Sequence, residues 1–456
     1  MAQFPITGLA ARLRDLGATF VLAKRLAPND NSKNQVYVGR DISEVSLLRP
    51  GEIQFRPGAS TKRGENVSEP IYHAPLDLWW LSANGELKPA KGSKLILYPQ
   101  YSTVGEVRLS GFLKGCKDAP SHLFDPGRDG RSPGRVLVLA PLQDGRLVAL
   151  AYGGCSQEAA ALSAVDGEPY AMFSRYELAA DHQIDSEAEL LSEIYRISRL
   201  GWLDPVHLNA DGSWRPCTGT NCGGVTLETH LGIRANGFAE PDFQGWEIKQ
   251  HGVNSLERPR AGPITLFTPE PTGGFYVSEG PDYFIRTWGY PDLHGREDRI
   301  NFGGVHRVSE SFHPRTNLRL VLVGYDAESQ KFKGDGEVAL IDPEARVAAS
   351  WSFAKLMDHW KRKHANAAFV PSESRADPTR RYRYGTDVKL GEGAYFRRLL
   401  RAFHTGAVYY DPGLKIESAS TERPLLKRRS QFRVNSTDLP SLYDRFREVL
   451  AGPKSP

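Results

Sequence analysis

Near the middle of the chain, the run Ala239-Glu240-Pro241-Asp242-Phe243-Gln244-Gly245-Trp246-Glu247-Ile248-Lys249 reads as a turn ending in a carboxylate. A short strand follows, carrying a second carboxylate and, two residues on, a lysine. Side chains alternate faces along a strand, so Glu247 and Lys249 share one side while Trp246 and Ile248 take the other. Asp242 stands where the backbone bends past Pro241, which lets it aim back at Glu247. Two converging carboxylates are costly unless a cation joins them, and hard oxygen ligands suit a magnesium-like ion. A lysine beside that ion orients and helps to activate a water, the arrangement that metal-assisted phosphodiester cleavage needs.

Taken alone, the string is also what a solvated strand face looks like. Its surroundings carry more. Fourteen positions before Asp242 lies Glu228, in a Gly-rich entry to a short helix, Gly223 to Gly232. From there a third carboxylate can reach the ion, directly or through a water. Just upstream, Thr218, Gly219, Thr220 and Asn221 offer amides and hydroxyls to a phosphate; a plain loop is the alternative. His251 falls on the same strand face as Glu247 and Lys249, as a DNA contact or a local hydrogen-bonder.

The run Thr218-Gly219-Thr220, Leu227-Glu228, Glu240-Pro241-Asp242, Glu247-Ile248-Lys249-Gln250-His251, then Ile264-Thr265-Leu266-Phe267-Thr268, resembles the MvaI/BcnI restriction endonuclease family. That family belongs to the PD-(D/E)XK nucleases and is related to the mismatch-repair nickase MutH. The resemblance is specific over Thr218 to Thr268, weaker to about residue 434, and does not cover the first 180 residues. It implies a site-specific, Mg²⁺-dependent endonuclease acting on double-stranded DNA. Glu228, Asp242, Glu247 and Lys249 would form the active site, with Asp242, Glu247 and the Ile248 carbonyl as metal ligands. It also implies a monomer that nicks each strand in turn. Two departures separate this chain from well-known members: no His-rich recognition loop is visible, and the late region lies further from Lys249.

At 456 residues the chain is too long for one ordinary core, so two or three domains are expected. No apolar run approaches the length of a membrane span, and Met1-Ala2-Gln3-Phe4-Pro5 lacks a signal-peptide pattern, so a cytoplasmic protein is expected. Cys116, Cys155, Cys217 and Cys222 are too few and scattered for a disulfide framework. The Cys217/Cys222 pair hints at a metal knuckle, but no second pair is visible, and buried or incidental thiols are the simpler reading.

Residues 1–180 read as a mainly β accessory domain. It opens with a helix over Leu9 to Leu16, and its clearest hairpin turns at Asp144-Gly145 between 135–139 and 146–150. A DNA-contacting or effector-sensing role, through Arg108, Lys114, Lys117, Arg128 and Arg131, stands beside a plain scaffold role. Trp79 and Trp80, next to Leu78 and Leu81, read as core. Residues 181–456 read as the nuclease domain. A helix starts at the capping box Ser186 to Glu189 and carries Leu190, Ile194 and Ile197. Asn209 to Gly224 reads as a polar loop. Strands are expected at 264–268, behind the metal, and at 283–288, 318–323 (in the sheet interior), 337–342 and 365–370. A helix is expected over Trp351 to His364.

Net charge is only +4, but its distribution is uneven. Between Arg375 and Arg433 fourteen Lys and Arg face six Asp and Glu, with tyrosines interleaved, a local excess that attracts phosphates. A solvated basic face is the bland alternative. Within this region, 375–434, Arg428, Arg429, Gln431 and Arg433 are the candidates for base reading, since Arg pairs with guanine and Gln with adenine in the major groove.

The expected fold is α/β: a PD-(D/E)XK mixed sheet flanked by helices, preceded by the mainly β domain. The expected function is that of a type II-like restriction endonuclease, with a cognate methyltransferase encoded nearby. A defence nuclease gated by ligand, modified base or partner binding to the first domain is the alternative. A DNA-binding protein with a silent nuclease fold is a third reading, which the complete Glu228, Asp242, Glu247, Lys249 set argues against.

Overall fold

The structure is a computed structural model of the 456-residue chain. It describes residues 2–28, 35–56, 71–82, 84–99, 105–178, 186–209, 211–219, 221–233, 243–257, 262–308, 310–363, 366–376 and 379–453. Asp242 and Thr220 lie outside the described residues. The chain divides into two compact units, 1–183 with Phe332–Gly334, and the remainder.

The first unit is built on two sheets. Seven strands run in the order Glu168–Tyr170, Phe173–Glu177, Phe20–Arg25, Val136–Pro141, Leu147–Tyr152, Leu78–Leu81, Leu87–Pro89. Five more run Val36–Gly39, Glu106–Ser110, Lys94–Tyr98, Ile71–Pro75, Gln54–Arg56. The expected hairpin is present, pairing Leu147 with Pro141 and Tyr152 with Val136. Val136–Pro141 is buried along its whole length, as a central strand must be. The first helix spans Thr7–Asp15 and gives way to Gly17 at φ +96°, a backbone that glycine tolerates. The tryptophans divide: Trp80 is buried and donates to the Phe112 carbonyl at 2.6 Å, while half-exposed Trp79 donates to Asp77. Arg108 lies between the Tyr37 and Tyr98 rings and pairs with Glu106.

The second unit holds a five-stranded mixed sheet that positions the candidate site. Its elements are α1 (Ser186–Ser198), α2 (Cys222–His230), β1 (Glu247–Gly252), β2 (Asn366–Ala376), β3 (Arg380–Tyr384), β4 (Asp387–Glu392) and β5 (Arg445–Leu450). The order is β1-β2-β4-β5, with β3 pairing the far half of β2. β1 and β2 are parallel, Glu247 opposite Ala367 and Lys249 opposite Phe369; β2, β4 and β5 pair antiparallel. One face is closed by the helices: Leu190, Ile194 and Ile197 of α1 and Leu227 of α2 pack on Ile248, Ala368, Val370, Val388 and Leu390. Residues three and four apart on α1 form one stripe, which is why its spacing was readable.

Several expectations need correcting. Tyr283 to Trp288 is no strand but the end of the helix Gly280–Trp288, which buries Phe284, Ile285 and Trp288 at helical spacing. Ile264–Phe267 lies in a separate three-stranded sheet with Phe432–Val434, not behind β1. Arg319–Asp326, expected in a sheet interior, is an end strand of a three-stranded sheet, with Val323 48% exposed. Trp351 lies in the strand Val347–Ser352, and the helix follows as Phe353–Lys363, with Phe353, Leu356, Met357 and Trp360 fully buried. Asn209 to Gly224 is not all loop, because Trp214–Pro216 pairs with Val206–Leu208 as a hairpin. Cys217 and Cys222 are bonded to each other as a disulfide rather than standing as thiols.

Candidate active site

β1 is launched by a tight turn. Phe243 and Trp246 exchange backbone hydrogen bonds of 2.9 and 2.8 Å across Gln244 and Gly245, both at positive φ. Such a turn needs two left-handed residues, and Gly245 at φ +94° supplies one without strain. Trp246 and Ile248 then enter the core beneath the helices. The alternation sends Glu247 and Lys249 to the opposite face.

There Lys249 Nζ lies 2.7 Å from Glu247 Oε1, with the two side chains 16% and 5% exposed. A carboxylate this buried is costly to keep charged, and the ammonium beside it offsets that cost. Phe369, opposite Lys249 on β2, is packed by Tyr443. Burial, then the nearby Glu247 carboxylate, pushes the Tyr443 hydroxyl well above its ordinary range. His251 is also buried, 7% exposed, and its Nδ1 has no hydrogen-bond partner among the described residues. Burial first, then Lys389, lowers its pKa to about 4, so the ring is neutral near pH 7. The structure thus places His251 in the interior rather than on an open DNA-facing surface.

Glu228 is half-buried on α2. It is close enough to Tyr384 to add to the rise that burial and Tyr382 impose on that hydroxyl. α2 is fixed by side-chain bonds on two sides. Thr226 and Thr229 accept the Val206 and Leu208 amides at 3.1 and 3.0 Å, and the Tyr384 hydroxyl donates to the Gly223 carbonyl at 2.6 Å. A Cβ on Gly223 would come within 3.0 Å of Gln250 and 3.1 Å of Tyr382, so the helix sits close against the sheet. The structure therefore brings Glu247 and Lys249 into direct contact. Glu228 stands on the neighbouring helix beside Tyr384, and Asp242 lies outside the described residues. Among the described residues no three His, Cys, Asp or Glu side chains converge as a metal cluster. The donor types nevertheless fit a hard divalent cation: carboxylate and carbonyl oxygens, without a thiolate or imidazole set that would favour a softer metal.

Of the expected DNA contacts, Thr218 and Asn221 are exposed, and Asn221 makes no side-chain cap for α2. Arg428 and Arg429 are exposed; Arg428 stands 3.7 Å from Glu270. Gln431 is only 5% exposed, and its Oε1 accepts from Arg429 Nε at 3.2 Å. Arg433 is held by Asp411 at 2.7 Å and by the Pro263 carbonyl at 2.6 Å. Sequence reasoning missed the Tyr384 and Thr226/Thr229 bonds that hold α2, since these residues lie far apart in the chain or read only as ordinary helix and strand positions.

A family model, the MvaI/BcnI restriction endonuclease family, matches residues 191–443, more than half of the chain and the whole of the β1 segment. Two solved structures are similar. The restriction endonuclease MvaI–cognate DNA substrate complex is 18% identical, with 59% of this chain and 99% of that one covered and a TM-score of 0.43. MvaI in the absence of DNA is 18% identical over 59% of this chain and 100% of its own, with a TM-score of 0.32. No curated protein matches. With the Glu247–Lys249 pair on the edge of a mixed sheet and a family match across it, the chain belongs to the MvaI/BcnI restriction endonuclease family, whose members are DNA nucleases.

Proposed function

We propose that the chain is a Mg²⁺-dependent, type II-like endonuclease that hydrolyses phosphodiester bonds of duplex DNA at a specific site. The observation that carries this reading is the buried Glu247–Lys249 pair on β1, inside the matched family segment. Asp242, Glu247 and the Ile248 carbonyl would hold the ion, with Glu228 supporting it through a water. When bound, a divalent ion polarises the scissile phosphate and lowers the pKa of a coordinated water. Lys249 orients the attacking water and stabilises the negative charge that develops on the phosphate. Thr218, Thr220 and Asn221 contact the backbone, and Arg428 and Arg429 read bases, with Gln431 accepting from Arg429 and Arg433 held by Asp411. His251 contributes as a neutral buried ring beside Lys389 rather than as a groove contact.

The test is direct. Asp242→Ala and Lys249→Ala should abolish cleavage while leaving DNA binding largely intact, and a fully active Asp242→Ala variant sinks the assignment.

A second reading is favoured by one observation: the matched segment begins at residue 191, so residues 1–180 lie outside it. An accessory unit of that size suits a gate that senses a ligand, a modified base or a partner. Discrete fragments from plain DNA support the ungated enzyme; activity only on modified DNA or with an added effector supports the gate. A cognate methyltransferase is expected only for the ungated enzyme.

A further inference from the structure

The Cys217–Cys222 disulfide closes a loop of four residues, Thr218 to Asn221. This is the loop assigned above to the DNA backbone, and the inference rests on that reading. Thr218, Gly219 and Asn221 are exposed, and Asn221 folds back so that a Cβ on Gly219 would meet its Oδ1 at 2.7 Å. At one end the Cys217 amide donates to the Pro205 carbonyl at 2.9 Å; at the other Cys222 is buried, 2% exposed, at the start of α2. The cross-link thus joins two anchored ends around Thr218, Gly219 and Asn221, all three exposed and one of them a glycine. Such a stretch pays an ordering cost when it binds, and a covalent closure removes most of that cost beforehand.

The two sulfurs differ in access. Cys222 is part of the core with Leu227 and Trp246, whereas Cys217 is half-buried and follows the exposed strand Trp214–Pro216. A small dithiol therefore reaches Cys217 first.

We propose that Cys217–Cys222 is a redox latch that holds the DNA-contacting loop in its binding shape, so that reduction weakens DNA binding. In the exchange, a thiolate of the dithiol bonds to Cys217 Sγ, and Cys222 leaves as a thiolate and takes a proton. The second thiolate of the reagent then displaces Cys217, which also takes a proton. The reagent ends as a cyclic disulfide, and the protein gains two thiols. Cys217 and Cys222 act here as positioning residues.

The test uses the full chain, prepared without reductant. Iodoacetamide labelling in denaturant, with intact-mass analysis, should modify only Cys116 and Cys155 before reduction and all four cysteines after dithiothreitol. Anisotropy with a fluorescent duplex at fixed salt, with Ca²⁺ in place of Mg²⁺, should show about fivefold weaker binding after reduction, on the scale of ordering about one loop residue. C116S/C155S should keep this response. C217S/C222S should bind like the reduced protein and ignore dithiothreitol. Four labelled thiols before reduction overturn the proposal. So does a reduced protein whose thermal midpoint falls while its DNA affinity does not, because the bond would then be merely structural. Thr218→Ala and Asn221→Ala test the underlying reading separately. If neither weakens binding, the loop is no DNA contact and both ideas fall; if they weaken it but reduction does not, only the latch falls.

Discussion

Lys249 Nζ and Glu247 Oε1, two residues apart on one strand, meet at 2.7 Å with the carboxylate almost wholly buried. Each member therefore depends on the other before any ion or DNA arrives. Lys249→Ala removes the ammonium beside a buried carboxylate, and Glu247→Ala removes a proposed metal ligand. Either change should lower the cleavage rate by about a thousandfold or more, the scale on which preorganised charge acts in a transition state. Supercoiled-plasmid assays with matched measurements of DNA binding check this: cleavage should fall and binding should stay.

Stability should depend on pH through two buried imidazoles. His251 is lowered to about 4, chiefly by burial, and His306 to about 3, by burial and then by His313. The folded rings stay neutral where an unfolded chain, titrating near 6.5, already takes up protons. Their contribution is thus complete above about pH 6.5 and is lost as the pH falls, down to about 4 for His251 and about 3 for His306. Each ring should remove about 1.4 kcal/mol per pH unit inside its window. Urea unfolding at about pH 7 and about pH 5 measures the sum. His306→Gln should flatten the slope, though it also loses bonds to the Gly304 carbonyl and Thr316 hydroxyl.

The arginines of the late basic region should separate into two classes. Arg428 and Arg429 are exposed, so Arg428→Ala and Arg429→Ala should weaken binding to the cognate site, by about 1–3 kcal/mol for a lost bidentate base contact, with little effect on folding. Arg433 is spent on Asp411 and the Pro263 carbonyl. Arg433→Ala should therefore lower the thermal midpoint as well as binding. Competition binding and thermal melts of the three variants decide it.

Tyr384→Phe isolates what fixes α2. The variant loses the bond from the Tyr384 hydroxyl to the Gly223 carbonyl, with that hydroxyl's contacts to the Thr226 side chain and the Leu227 backbone, and should cost about 1 kcal/mol or somewhat more. Denaturant titration gives the loss, and amide exchange should place it in α2.

The parts of this architecture readable from the sequence are those set by local periodicity. Alternation put Glu247 and Lys249 on one face, and the three- and four-residue spacing of Leu190, Ile194 and Ile197 and of Phe353, Leu356, Met357 and Trp360 marked two buried helix stripes. What was hidden is non-local. The parallel register of Glu247 with Ala367 joins residues more than a hundred positions apart, and nothing in either strand's own pattern specifies the partner. Ile264–Phe267 looked like a neighbour of β1 because it follows in sequence, yet it pairs with Phe432–Val434. Tyr283 to Trp288 was misread because its aromatic and β-branched residues suit a strand, while burial of Phe284, Ile285 and Trp288 follows a helix. The Cys217–Cys222 bond was hidden because four scattered cysteines suggest no disulfide framework, and the pair without a second pair reads as buried or incidental thiols rather than as a metal knuckle or a cross-link.

The most direct measurement takes wild-type protein and Lys249→Ala with long, unmodified duplex DNA, in Mg²⁺ and in EDTA, and sequences the ends. The account predicts discrete, recurrent ends for the wild type in Mg²⁺ alone, and none for Lys249→Ala. Cleavage by Lys249→Ala at the same positions and rate, or wild-type cleavage that persists in EDTA, would contradict it.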